Sequence, residues 1–371
     1  MSALLLVLSL AAAPAWAGTN SSEIKHKPGE GIELRADGSP AELLVNVIAQ
    51  PVLSASLGGG EFSPAYELRR ARLSLDARPN KSLNASLQIS GDELKVKVRD
   101  AHVELKPNDW LRIRAGMMRL PTGLERESSA RFLPMVERSG VADLVPARTN
   151  GVELRVKKDT LRAAVALAQP SELDTMYWRD DGAFDVTGMV IWSTDAARVG
   201  LRGGALHRPL SAPGVETVSP LTNDPLLAPS AWAGTGAAGG LDMIIVVGPW
   251  RLAAEGAVLR EGLTLGTADG HALHTAGYLL AGVAPGGTRG DVNDSAPLLT
   301  GWEALVRLDA RTSASPLGPS AWTAGANLAV AYALEPGARL TAEIGPQVVH
   351  LSDGDTTTPG VVGRVSFVLG L

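Results

Sequence analysis

From Arg70 the chain alternates with period two. Ala71, Leu73, Leu75 and Ala77 fall on one face, and Arg70, Arg72, Ser74 and Asp76 on the other. Across a short turn, Leu83, Ala85, Leu87 and Ile89 alternate with Ser82, Asn84, Ser86 and Gln88. Ala101, Val103 and Leu105 then oppose Asp100, His102 and Glu104, and Leu111, Ile113, Ala115 and Met117 oppose Trp110, Arg112, Arg114 and Gly116. Successive side chains on a strand point to opposite faces, so each segment has one apolar and one polar wall.

Continued along the chain, the pattern predicts sixteen strands, near 43–57, 66–78, 81–90, 94–107, 109–118, 150–158, 160–169, 184–194, 197–208, 238–248, 250–260, 272–284, 301–310, 321–334, 337–350 and 359–371. Most even-numbered connections are a few residues long (Pro79-Asn80, Asn108, Asp159, Ala196, Pro249, Glu335-Pro336). Most odd-numbered ones are longer and rich in Gly, Pro, Asp and Ser. That parity is expected of a transmembrane antiparallel β-barrel with short periplasmic turns and longer outer loops. The inner gap at 285–300 breaks the rule by its length, and the hairpin after the third strand is short for an outer loop. A soluble sandwich or propeller would also alternate, but it would wet its outer faces, and no propeller-length repeat occurs.

The chain's start supports export. Leu4 to Ala13 is an apolar run followed by Pro14 and Ala15-Trp16-Ala17, the form of a signal-peptide core and cleavage site. The run is too short to span a bilayer as a helix. The expected plan is a signal peptide at 1–17, a short periplasmic segment at 18–41 and a barrel over 42–371, located in the bacterial outer membrane.

Composition narrows the chemistry. With no cysteine, disulfides, thiolate metal sites and cysteine nucleophiles are excluded. A pI near 5.8 argues against a dedicated nucleic-acid partner. Aromatics are only 4%, yet Trp110, Trp192, Trp250, Trp302 and Tyr332 fall near inner turns, where an interfacial girdle belongs. Residues 66–160 hold 19 Lys and Arg against 13 Asp and Glu, whereas residues 161–371 hold 12 against 20. Since strands follow one another around a barrel, this predicts a basic and an acidic side to the wall, and a field across the lumen.

The stretch YELRRARLSLDA, followed by VKVRDAHVELKPNDWLRIRAGMMRLPTGLERESSARFLPMVERS, resembles the phosphate-selective porin O and P family. The matching positions are Arg69 to Arg72, Lys97 to Ala101, Gly116, Pro121 to Glu125 and Met135 to Arg138. Weaker echoes follow at Asn150-Gly151-Val152, Gly248-Pro249-Trp250 through Glu255, and Gly301-Trp302-Glu303 with Arg307. The resemblance implies a sixteen-stranded outer-membrane barrel, usually a homotrimer, with the loop at 118–149 folded inward as a constriction.

The candidate site is therefore electrostatic. By parity Arg70, Arg72, Arg112, Arg114 and Arg155 point inward as a pore-lining basic strip, beside Asp76, Asp100, Glu104 and Glu153. The constriction loop contributes Arg119, Glu125, Arg126, Arg131, Glu137, Arg138 and Arg148. The carboxylates among the strip, and the absence of lysine after Lys158, leave phosphate selectivity without support. The expected function is passive diffusion of small hydrophilic solutes, with anions favoured by the strip. The alternative is a non-conducting barrel with a structural or adhesive role. No enzyme activity, cofactor or metal is expected: there is no G-x-S-x-G elbow, and Asp100 with His102, His271 with His274, and Asp353 with Asp355 are weak signals. The remaining partner is outer-membrane lipid.

Overall fold

The computed structural model describes residues 22–27, 31–36, 40–92, 96–129, 132–145, 148–170, 182–213, 217–218, 225–227, 231–265, 268–292, 297–315, 319–336, 338–353 and 355–370. The expected signal peptide and Arg131 lie outside them. In chain order the strands are β1 (Ser22–Lys27), β2 (Gly31–Ala36), β3 (Glu42–Gly58), β4 (Glu61–Asn80), β5 (Leu83–Ser90), β6 (Lys97–Leu105), β7 (Leu111–Arg119), β8 (Arg148–Lys158), β9 (Leu161–Ala168), β10 (Phe184–Ser193) and β11 (Ala197–Pro213). They continue as β12 (Thr217–Val218), β13 (Pro225–Leu227), β14 (Ala231–Val247), β15 (Trp250–Leu265), β16 (Ala268–Val283), β17 (Thr288–Arg289), β18 (Leu298–Ala314), β19 (Ala321–Glu335), β20 (Ala338–Leu351) and β21 (Thr356–Gly370). Two single-turn helices, α1 (Leu124–Glu127) and α2 (Val141–Leu144), lie between β7 and β8.

Sixteen of these strands form one closed antiparallel barrel, β3 to β11, β14 to β16 and β18 to β21, with β21 pairing back onto β3 from Gly360↔Gly58 to Gly370↔Ile48. Closure leaves no free edge, as a lipid-exposed sheet requires. Where β21 ends, β2 takes over the same edge of β3, pairing Ile32↔Val45 to Arg35↔Glu42. Thus the segment preceding the barrel contains a hairpin, β1 with β2, that prolongs the wall below its last strand.

The outward face is apolar. Leu53, Leu73, Val152, Val165, Leu201, Leu241, Leu252, Leu279, Val306, Leu328, Ile344 and Val365 are all exposed, which in water would be unfavourable and in lipid is favourable. Trp110, Trp192, Trp250 and Trp302 are exposed at the periplasmic end, and Trp302 packs on Tyr332 with ring centroids 4.5 Å apart. At the other rim stand Phe62, Tyr66, Phe184 and Trp322.

Local chemistry closes the turns. The Asn80 side chain accepts the N–H groups of Ser82 and Leu83, and Asn108 does the same for Trp110 and Leu111. Gly59 and Gly60 sit at φ of 59° and 85°, the left-handed pair a two-residue hairpin needs. Several outer connections are shorter than the alternation predicts, because β4, β15, β16 and β21 run further outward than expected. Above the lipid both faces meet water, so the strict alternation fades while the hydrogen-bond ladder continues.

A β-bulge shifts the register of β4. Gln50 faces Arg70 but Pro51 faces Leu68, leaving Arg69 as the extra residue. Proline cannot donate to the ladder, so a bulge is a natural accommodation opposite Pro51. The phase flips there: Tyr66 and Leu68 face outward above it, and Leu73 below it.

Candidate constriction site

The connection between β7 and β8 enters the lumen and is held there by two kinds of contact. Its apolar side chains Leu124, Met135, Val141, Leu144 and Val145 form one buried cluster with residues of β11, β14 to β16, β18 and β19, among them Leu206, Ile244, Leu259, Tyr278 and Leu305. A buried side chain of this size contributes about 1.5–3 kcal/mol. This lumen-side apolar patch was not legible from the alternation, because Ile244, Ala253, Ala257 and Leu259 occupy positions expected to be polar.

The second set is polar. The Glu255 carboxylate accepts the N–H groups of Leu124 at 2.8 Å and Glu125 at 3.2 Å, at the start of α1. Glu343 accepts the N–H of Val136 at 3.0 Å. Arg339 donates to the carbonyls of Leu133 and Pro134 at 3.0 and 2.7 Å, and Arg307 to that of Glu137 at 2.8 Å. None of these wall residues was in the sequence-predicted site. The signal for them is a charged residue on the lumen face of a late strand, but only the folded loop says which carbonyl or N–H it meets.

Within the loop, Glu125 is buried and accepts the N–H and hydroxyl of Ser139 at 2.7 and 2.8 Å. Arg138 donates to the carbonyls of Glu125 and Ser128, and Arg119 to those of Glu127 and Ser128. Arg126 donates to the Ala142 carbonyl and lies 3.9 Å from Asp143. Glu137 pairs with Arg69 at 2.8 Å, and Arg148 with Asp100 at 3.0 Å. Arg69, brought inward by the bulge, is a loop contact that strict alternation misses.

The five strip residues reach different surroundings. Arg70 is buried and hydrogen-bonds the Gln50 side chain. Arg72 is buried against Asp92 at 2.6 Å. Arg114 and Arg155 share Glu153, at 2.6 and 3.1 Å, and Arg155 also reaches Glu127 at 3.5 Å. Arg112 is the most open, with 42% of its side chain exposed and its paired carboxylate, Glu104, 3.9 Å away. Ser74, Asp76, Ser86, Gln88 and His102 on the neighbouring strands also keep partial exposure. The loop's apolar cluster thus sits on the far wall, while several polar side chains of β4 to β8 keep partial exposure.

Asp92, in the connection after β5, meets opposing influences. Burial pushes its carboxyl up, but hydrogen bonds from Arg72 and Ser90, the Arg72 charge and the Ala71 N–H outweigh that and hold it down at about 2.

The wall does not divide into a basic and an acidic side as the charge counts predict. Arg198, Arg208, Arg251, Arg307, Arg311 and Arg339 lie buried on the lumen face of the later strands beside Asp185, Asp242, Glu255 and Glu303. Much of the acidic excess sits elsewhere, as in Asp195, Asp291, Asp353 and Asp355 on exposed turns. His271 is exposed and His274 buried, on opposite faces of β16, so the two cannot share a metal ion. His102 is not paired with Asp100, whose partner is Arg148.

No known family profile and no characterised protein sequence matches this chain. Solved structures do. The outer-membrane channel DcaP of Acinetobacter baumannii aligns with a TM-score of 0.59 at 12% identity, over 89% of this chain and 97% of its own. An anion-selective porin from Comamonas acidovorans aligns at 0.57 and 10%, over 89% and 100%. The trimer form of OmpT, an outer membrane protein of Vibrio cholerae, aligns at 0.58 and 11%, over 88% and 99%. The fold is that of a porin-type outer-membrane barrel.

Proposed function

We propose that this protein is an outer-membrane porin through which small hydrophilic solutes diffuse passively. The observation that carries the reading is the one-sided position of the constriction loop's apolar cluster, which covers the wall from β11 to β19 and leaves partly exposed polar side chains along β4 to β8. Sixteen strands enclose a lumen wide enough for an aqueous passage. Purified protein in planar bilayers should give stepwise conductance. A barrel that is folded, as judged by heat-modifiable gel mobility, and gives no steps would remove the pore reading.

Anion preference belongs to the same proposal, with Arg112, Arg114 and Arg155 lining the wet side of the constriction. The resemblance to the phosphate-selective porins is carried at the level of pore architecture, because Glu153 and Asp92 offset much of the strip. A homotrimer in the outer membrane completes the reading, and chemical cross-linking in native membranes tests it.

One observation favours the second reading, a non-conducting barrel of structural or adhesive role. The loop is tied to β4, β8, β11, β15, β18 and β20, nearly all the way around the wall. The bilayer measurement separates the two.

A further inference from the structure

The two ring nitrogens of His274 meet different surroundings. His274 on β16 and Glu261 on β15 both turn to the lumen, on the outer side of the Glu255 contact with the constriction loop. Ser313 lies directly opposite His274 on β18. His274 Nδ1 stands 3.0 Å from Ser313 Oγ, and His274 Nε2 stands 3.3 Å from Glu261 Oε2. All three side chains are at least nine-tenths buried, with 8% of His274 and 2% of Glu261 exposed.

The contact with Glu261 is not a hydrogen bond. His274 Nε2 is buried and has no hydrogen-bond partner among the described residues. A charge-assisted bond from imidazolium to carboxylate would close to about 2.7–2.9 Å along the N–H direction. Glu261 and Ser313 have further interactions of their own, so the unmet valence is that of the imidazole. With its proton on Nε2, a neutral His274 strands a buried donor; with the proton on Nδ1, it sets a lone pair against a carboxylate. A metal ion between Nε2 and Oε2 satisfies the second form. Zinc binds histidine nitrogen and carboxylate oxygen at about 2.0–2.1 Å, and two tetrahedral ligands at that length stand about 3.3 Å apart. Ser313 supports the same form. By accepting from Nδ1–H its hydroxyl fixes the tautomer and aims the Nε2 lone pair, the service that a metal-binding histidine ordinarily receives from its other ring nitrogen.

We propose that His274 Nε2 and Glu261 Oε2 hold a divalent transition metal of the zinc class on the lumen wall, on the outer side of the constriction loop. Imidazole with carboxylate suits zinc, whereas calcium takes oxygen ligands. Among the described residues no third imidazole or carboxylate joins the pair, so water fills the remaining positions and the ion stays exchangeable. Arg311, the next inward residue along β18, turns to Asp143 at 3.2 Å, which offsets part of its charge. Sequence spacing pairs His274 with His271, but His271 faces away and the second ligand comes from the neighbouring strand. The site requires the barrel fold and not conduction.

Zinc chloride is the probe. Untagged full-length barrel folded in detergent, titrated calorimetrically, should show a saturable site that excess calcium does not displace. His274→Ala should weaken zinc by about tenfold or more, Glu261→Gln should do the same, and Ser313→Ala should also cost about tenfold by loosening the ring. His271→Ala, on the outward face of the same strand, should leave binding unchanged. Cobalt(II) bound to the wild type should give the visible absorption of a four-coordinate ion, a readout that needs no variant. Absence of saturable zinc binding, equal binding by the wild type and His274→Ala, or loss of binding in His271→Ala overturns the proposal and leaves a plain histidine–carboxylate contact. A barrel that binds zinc but shows no conductance would fail as a porin while keeping this site.

Discussion

The Glu255 carboxylate on β15 and the main-chain N–H of Leu124 meet at 2.8 Å, across 131 residues of sequence. The contact caps the first turn of α1, where the four leading N–H groups have no partner within the helix. Glu255 also lies 3.2 Å from Arg202, so it serves the loop and the wall together.

Replacing Glu255 with Ala should therefore release the loop. It strands two N–H groups and removes one of the two carboxylates that face Arg202, which keeps Asp242, a loss of about 1–3 kcal/mol. The expected outcome is noisier, larger single-channel conductance with a lower thermal midpoint in detergent. Glu255→Gln keeps an acceptor oxygen and should fall between. An Ala variant with wild-type noise and midpoint would show that the carboxylate does not hold the loop.

Selectivity is the second expectation. If Arg112 and Arg114 line the proposed passage, anions should be mildly preferred at low salt. The preference should fade as salt rises, since the screening length is roughly 8 Å at physiological ionic strength. Reversal potentials under a KCl gradient measure it. Changing both residues to Gln should move the potential toward cation preference. A potential that does not move would remove the strip from control of permeation.

Asp92 gives a pH expectation with a definite sign. Its folded carboxyl is held down at about 2, below the ordinary carboxylate value. The stability it contributes is present above pH ~4 and is lost as pH falls toward about 2, where the folded group itself takes up a proton. Asp92→Asn should flatten the acid limb of the thermal midpoint over that window. An unchanged acid limb would mean that the contacts of Asp92 with Arg72, and with Arg99 at 3.1 Å, do not depend on the charge.

Gly116 tests the close packing of the wall. It sits at φ 119°, and a Cβ there would lie 2.3 Å from the Ala101 carbonyl oxygen. Gly116→Ala should cost about 1–3 kcal/mol through backbone strain. The check is the urea midpoint of barrel unfolding in detergent, which should fall, whereas Gly203→Ala, nearest atom 3.5 Å away, should change it far less.

The sequence alone determined the barrel. Period-two alternation with an apolar outward face, sixteen segments and the parity of short and long connections are local properties, legible because lipid demands the same face of every strand. The inward direction of Arg112, Arg114 and Arg155 follows from the same parity. What only the tertiary structure decided is the lumen. The Pro51 bulge turns Arg69 to Glu137, the loop selects Glu255, Glu343 and Arg339 as its holders, and the inner turn carries Arg289 to Glu303. The lumen face is bounded by protein and water together, so polar, charged and apolar residues are all admissible there, and only the path of a loop through space determines which of them meet.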